Sequence, residues 1–284
     1  MFLKVKCPAK INLTLDVLGI RDDGYHEIAS LMQTISLYDY LSVEVTSSSY
    51  FDIDLDGDNP DIPYDERNLV YKAIKLFIDN NPDMKPHKIK VFLEKNIPTE
   101  AGLGGGSSDA AGIIWALNKI FELNLSKDKI NSLCGALGSD LNVCYWGGAS
   151  IAASRGEKLL PAPHSEHSLS IIKPKAFGIS AKDGYKMFDN LKKVTISKST
   201  DLMINALKEN LDIEPFLHND LEIAPLKNFE VLQAIKKAYP KSIMTGSGSA
   251  YFVLDGNIPQ NLPLDEYMFI SGLKFVPSGV EEAL

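Results

Sequence analysis

Pro98-Thr-Glu-Ala-Gly-Leu-Gly-Gly-Gly-Ser-Ser-Asp109 is the stretch from which the fold can be read. Upstream of it, Ile89, Val91 and Leu93 alternate with Lys88, Lys90 and Glu94, the period of a half-buried strand. Downstream, Ile113, Ile114, Leu117, Ile120 and Phe121 recur at helical spacing and predict one buried helix face. Between the two lie Gly102, Gly104, Gly105 and Gly106, then Ser107 and Ser108. Glycines allow tight turns and close approach of a ligand to the backbone. A helix N-terminus offers unpaired N–H groups and partial positive charge. The combination predicts a phosphate cradle. It is neither of the two commonest phosphate loops. No Lys follows Gly106, as a Walker A loop requires, and Ser107 stands where a dinucleotide G-x-G-x-x-G counted from Gly102 needs its third glycine. A flexible connector is the alternative, but a linker has no reason to sit directly between two periodic segments.

Working outward, the amino-terminal Phe2 to Ile20 reads as strand. Ile11, Leu13, Leu15 and Val17 alternate with Lys10, Asn12, Thr14 and Asp16, so Lys10 and Asn12 share a face, expected to be solvated. Arg21-Asp-Asp-Gly24 signals a turn, followed at once by Tyr25 and His26. Residues 28–45 suggest a pair of strands. Asp52, Asp54, Asp56 and Gly57 imitate the start of a calcium loop, but Pro63 occupies the position of the bidentate Glu, and alternation with Ile53 and Leu55 favours a surface strand. Asn68-Leu69 opens a helix with Val70, Ile74, Phe77 and Ile78 as its stripe. Ser126 caps another, ending at Gly138. Asp140 follows at an element boundary, either a helix cap or a working base.

Arg155 to His167, with Pro161 and Pro163, reads as a domain junction, giving domains of 1–158 and 159–284. Beyond it come a short strand at 169–172, helices at 180–188, 201–210 and 229–239, a strand–glycine turn–strand over 241–254 and a strand at 266–275. Strands alternating with helices predict an α/β sandwich.

The 284 residues are 45% hydrophobic and 23% charged, as in ordinary globular proteins, and the net charge of -8 argues against a nucleic-acid partner. Cys7, Cys134 and Cys144 form no disulfide or zinc pattern, and His164 and His167 lack a third ligand, so no metal-binding residue is assigned. Neither a secretory signal nor a membrane span is evident, and the cytoplasm is the expected location. Nothing in the sequence separates a monomer from a homodimer.

Three distant segments, Pro8-Ala-Lys-Ile-Asn-Leu13, Pro98 to Ala111 and Met244-Thr-Gly-Ser-Gly-Ser249, together resemble the GHMP kinase superfamily of small-molecule kinases. Asp23-Gly-Tyr-His26 and Gly138-Ser-Asp140 narrow the resemblance to the branch that phosphorylates a cytidylyl-diphosphate alcohol on the non-mevalonate route to isoprenoids. The resemblance implies an α+β, two-domain GHMP kinase fold, ribosomal-S5-like at the amino end and ferredoxin-like at the carboxyl end, with the site in the cleft. It implies ATP as co-substrate with Mg²⁺, and a small-molecule acceptor. Lys10 and Asp140 match the catalytic pair, with Asp140 taking the hydroxyl proton. Pro98, Thr99, Glu100, Ala101, Gly102, Leu103, Gly104, Gly105, Gly106, Ser107 and Ser108 match the ATP loop, and Asn68 and Leu69 the adenine pocket. Asn12, Tyr25, His26, Tyr185, Gly246 and Ser247 match acceptor-binding positions, Tyr25 and Tyr185 sandwiching cytosine and His26 reading its edge. Two departures stand out: Asn142 replaces a usual proline, and Glu100 a small or apolar residue, so Glu100 is expected to point outward or toward the metal. Another GHMP kinase, such as a homoserine or phosphomevalonate kinase, and a non-catalytic binding protein of the same fold are the competing readings.

Overall fold

A computed structural model describes residues 1–154, 156, 158–191, 197–255 and 258–283; the junction residue Arg155 lies outside the described residues. Strand β1 (Phe2–Ile20) and strand β2 (His26–Ser47) form a long antiparallel hairpin closed at Arg21–Gly24. Residues 28–45 are thus one continuous strand, not two. They contain no Gly, Pro or Asn to break it. The ladder instead shifts register at Pro8/Ala9, Asn12/Thr14 and Val17/Gly19. Such irregularities bend a strand without ending it. β2 therefore serves different neighbours along its length.

The chain continues through β3 (Asp52–Gly57), α1 (Leu69–Asp79), β4 (His87–Glu94), α2 (Gly105–Ile120), α3 (Lys127–Leu137), α4 (Leu141–Trp146), β5 (Ala149–Ser154) and β6 (Lys158–Pro161). Its second half holds β7 (Ser168–Pro174), α5 (Ala181–Asp189), α6 (Ser199–Lys208), β8 (His218–Asn219), α7 (Ile223–Asn228), α8 (Glu230–Ala238), β9 (Ile243–Met244), β10 (Tyr251–Leu254), β11 (Tyr267–Lys274) and β12 (Glu281–Glu282). One sheet runs β12-β1-β2-β4-β3, with β5 and β6 continuing from β2 and β8 added to β1; the other runs β11-β7-β10-β9. β6 pairs with β5, so residue 158 falls within a strand of the first sheet, and β8 and β12 return to that sheet from late in the chain. Asp52 and Asp54 behave as surface-strand residues, each facing Lys88 across the β3–β4 ladder.

The odd-numbered side chains of β1 feed three cores. Val5 and Cys7 pack under α1 to α4, Ala9, Ile11 and Leu13 against β7, β10 and α6, and Leu15 and Val17 against α7 and α8. Each fully buried aliphatic side chain contributes about 1.5–3 kcal/mol. The middle core joins the two sheets into one body. The even face of β1 is buried as well, contrary to the solvated face expected from alternation: Lys10, Asn12, Thr14 and Asp16 are all within 3% of fully buried. Buried polar groups require partners, and each has them. Asn12 donates to Ser30 Oγ at 2.8 Å, Thr14 Oγ1 accepts from Leu31 N at 3.0 Å, and Asp16 accepts from Thr200 N at 2.8 Å. The three thiols are buried and free, and burial alone pushes Cys134 up to about 12.

Candidate active site

The cradle forms because α2 begins where the glycines end. Gly104, at the N-cap, is left-handed (φ 73°) and offers no capping side chain, and the first turn carries no acid. The first intrahelical bond runs from Ser108 N to Gly104 O at 2.8 Å. The N–H groups of Gly105, Gly106 and Ser107 therefore precede the helix's own acceptors. The loop is seated against the segment Met244 to Ser249. A Cβ on Gly102 would lie 1.9 Å from the Thr245 carbonyl oxygen. Thr245 Oγ1 in turn accepts from Asn12 N at 3.0 Å. Lys10 N donates to Leu103 O at 2.9 Å, so β1 holds the loop from the other side.

Lys10 and Asp140, 130 positions apart in sequence, meet: Lys10 Nζ lies 3.2 Å from Asp140 Oδ2 and donates to Asn12 Oδ1 at 2.7 Å. Asp140 does occupy the N-cap position of α4, but its carboxylate makes no capping hydrogen bond. It faces the lysine instead. Lys10 is 3% exposed and Asp140 29%, so the ammonium is held in the wall while the carboxylate opens to the cleft. Where a proline would stiffen the start of α4, buried Asn142 reaches the Asn131 carbonyl on α3.

These residues border one cavity of about 1040 Å³. Of the predicted positions, Lys10, Asn12, Tyr25, His26, Leu69, Pro98 to Ser107, Asp140, Tyr185, Gly246 and Ser247 all line it. Two do not. Asn68 spends its side chain at the start of α1, accepting from Val70 N at 2.9 Å and donating to Pro63 O at 2.8 Å. Ser108 is fully buried and donates to Pro8 O at 2.7 Å, which braces α2 against β1. Both residues are the right type for binding, but each is claimed by its own backbone surroundings. Glu100 (φ 49°) lies beside Gly178, where a Cβ would come within 2.5 Å of its carboxylate.

Tyr185 stacks on His26, with centroids 4.5 Å apart and planes inclined by 20°, while Tyr25 stands 56% exposed at the rim. His26 Nε2 meets Asp189 Oδ1 at 2.7 Å. Lys182, Lys186 and Asp189 line the cavity beside Tyr185 and were missed in the sequence. The signal was present: positions 182, 185, 186 and 189 share one helical face. Lys95 was missed as well. It sits under the loop between Asp39 and Asp109, 2.5 Å from Asp109 Oδ2. Burial pulls its ammonium down, but the two carboxylates more than reverse this and raise it overall.

A cleft of this kind, with a glycine cradle, a buried lysine and a carboxylate at its mouth, is that of a GHMP kinase, and the family description "GHMP kinases N terminal domain" matches residues 68–148. Curated relatives named 4-diphosphocytidyl-2-C-methyl-D-erythritol kinase include one from Clostridium botulinum (strain Eklund 17B / Type B), 39% identical over 88% of this chain and 90% of the relative. Another, from Caldanaerobacter subterraneus subsp. tengcongensis, is 36% identical over 99% of both chains. A crystal structure of 4-(cytidine 5'-diphospho)-2C-methyl-D-erythritol kinase superposes with a TM-score of 0.78 at 27% identity, covering 96% of this chain and 100% of that one. A homoserine kinase from Cytophaga hutchinsonii shares the fold (TM-score 0.76) at 16% identity over 99% of this chain and 97% of that one. The chain belongs to the 4-diphosphocytidyl-2-C-methyl-D-erythritol kinase family. Among the described residues, no helix is long and apolar enough to cross a membrane.

Proposed function

We infer that this protein transfers the γ-phosphoryl group of ATP to the 2-hydroxyl of 4-diphosphocytidyl-2-C-methyl-D-erythritol, giving the 2-phosphate and ADP, a step toward isoprenoid precursors. The observation that carries the chemistry is the 3.2 Å approach of Lys10 Nζ to Asp140 Oδ2 at the edge of the glycine cradle. Phosphoryl transfer asks little covalent work of a protein; it needs an aligned nucleophile and neutralisation of charge. In this reading Asp140 orients the acceptor hydroxyl and accepts its proton. Lys10 stabilises negative charge on the phosphoryl group in flight, and Asn12 Oδ1 fixes the direction of its ammonium. The backbone N–H groups at the start of α2 hold the nucleotide phosphates. Gly246 and Ser247 form the floor on the acceptor side. Asn219 supports that turn by donating to Met244 O and Gly246 O at 2.7 and 2.8 Å. Lys182 and Lys186 give the acceptor diphosphate two cations on the facing helix.

Mg²⁺ fits the donors present. It prefers oxygen ligands and keeps several waters, and the partly exposed Ser107 hydroxyl lies at the cradle, whereas the Ser108 hydroxyl is committed to Pro8. When bound, Mg²⁺ would neutralise charge on the phosphate oxygens. A cavity of about 1040 Å³ is ample for two substrates side by side. The direct test is ADP release from ATP with a panel of acceptors, the cytidylyl alcohol, the alcohol homoserine and the phosphate monoester phosphomevalonate. Turnover with the cytidylyl acceptor at least about 100-fold above the others in kcat/KM is expected, the size of discrimination a polar site supplies. Preferential turnover of either other acceptor would overturn this reading, and absence of turnover with all three would favour a binding protein.

A further inference from the structure

His26 is held by a clamp built entirely on α5. Tyr185 covers one ring face at 4.5 Å, Phe188 meets the ring edge-on at 6.5 Å and 83°, and Asp189 Oδ1 engages Nε2 at 2.7 Å. The imidazole is only 10% exposed, yet it lines the cavity. Among the described residues its Nδ1 makes no hydrogen bond. An ionised carboxylate can only accept, and a neutral imidazole carries its hydrogen on one nitrogen at a time. A partner at one nitrogen therefore decides what the other can do.

We propose that Asp189 is a specificity-determining positioning residue: by holding the imidazole proton on Nε2, it leaves His26 Nδ1 as an acceptor that favours cytosine over uracil. The inference rests on the cytidylyl reading above. Cytosine presents a donor at its exocyclic N4 amine, whereas uracil, like thymine, presents the O4 acceptor at the corresponding position. An acceptor nitrogen therefore pairs with the first and opposes the second. The opposite tautomer would reverse the preference, and an unconstrained ring would read neither base strongly. Tyr185 and Phe188 set the plane of the ring, and the Asp189 contact selects its orientation within that plane. Asp189 lies one helical turn beyond Tyr185, so the stacking surface and the tautomer-setting carboxylate are delivered by one rigid element.

The test compares binding of CDP and UDP by calorimetry to the intact wild-type protein and to Asp189→Ala and Asp189→Glu, with ¹⁵N NMR of the His26 ring. Wild type is expected to bind CDP about 10- to 100-fold more tightly than UDP, the discrimination one well-placed hydrogen-bonding set provides. Asp189→Ala should shrink that ratio at least fivefold, and Asp189→Glu should restore most of it. A merely structural role would weaken both ligands alike and leave the ratio intact. The ¹⁵N shifts should report the Nε2–H tautomer in wild type and a mixture in Asp189→Ala. Discrimination retained in full by Asp189→Ala, or an Nδ1–H tautomer in wild type, overturns the role of Asp189 alone. A wild type indifferent to the base overturns the cytidylyl reading itself. If Asp189→Ala fails to fold, the wild-type tautomer still decides.

Discussion

Replacing Lys10 with methionine separates what this residue does for the reaction from what it does for the fold. The ammonium is buried and its Nζ lies 3.2 Å from Asp140 Oδ2. At an effective dielectric of about 20, unit charges at that separation interact by about 5 kcal/mol. A phosphoryl oxygen entering the same position would feel a similar attraction, reduced by solvent reaching Asp140 at the cleft mouth. About 4 kcal/mol of transition-state stabilisation is thus at stake, a fall of about 10³ in kcat. The fold should survive. Methionine keeps the stem that packs beside Gly104, where Lys10 Cγ lies 3.0 Å from the position of a Cβ. Asp140, still 29% exposed, remains hydrated, and Asn12 keeps its bond to Ser30. Removing the ammonium relieves its own desolvation while Asp140 stays wetted, but it takes the 2.7 Å donor from buried Asn12 Oδ1, so unfolding free energy should fall by about 1–3 kcal/mol, short of losing the fold. Steady-state ADP release at saturating ATP and cytidylyl acceptor, together with urea unfolding of the same preparation, measures both quantities. A kcat within tenfold of wild type would refute the role given to Lys10, and a loss of activity accompanied by loss of fold would refute the separation of the two roles.

Gly102→Ala should cost at least about 2 kcal/mol of stability in urea unfolding and raise the KM for ATP, because φ is 71° and the new methyl would meet the Thr245 carbonyl oxygen at 1.9 Å. Gly106→Ala, with nothing within 4 Å of its Cβ, is the control for stability and should be neutral or slightly stabilising. Burial, and beyond it the Asp39 charge, pushes the Asp109 carboxyl up to about 7 despite Lys95. Against an unfolded value of about 3.9, the folded protein retains a proton that the unfolded chain has released, so Asp109 makes stability fall as pH rises from about 4 to about 7, by at most about 1.4 kcal/mol per pH unit. Asp109→Asn should flatten that part of the urea-midpoint profile, and an unchanged slope would refute the assignment.

The same cluster bears on how the cradle keeps its shape. Asp39 Oδ1 accepts from Asn96 N and Ile97 N at 2.6 and 2.8 Å, which fixes the approach to the loop, while Asp39 Oδ2 and Asp109 share Lys95 beneath it. A carboxylate on β2 and another on α2 thereby hold the strand and the helix that flank the glycines. Breaking such a buried group by deleting one member leaves uncompensated charge and is costly. The glycines can remain free of side chains because rigidity is supplied from below.

By itself the sequence determined much of what depends on contiguous residues. The strand, glycine loop and helix over 88–121 are set by side-chain period and backbone freedom, and Asn68, Ser126 and Ser180 each cap the helix that follows because a cap bonds only to its near neighbours. Motif resemblance also supplied Lys10 and Asp140 as a pair, though local position alone allowed Asp140 to be a helix cap. Only the tertiary structure decided that the polar face is buried, because alternation shows that two faces of β1 differ but not which is covered; here Thr200 at the start of α6 and Thr245 bond to the polar one. Likewise it alone decided that Ser108 serves the backbone of β1, that β8 and β12 complete the first sheet, and that Asp189 reaches His26 across 163 residues. Register shifts and packing between distant segments set those contacts, and no local window of the chain contains the partners whose competition settles them.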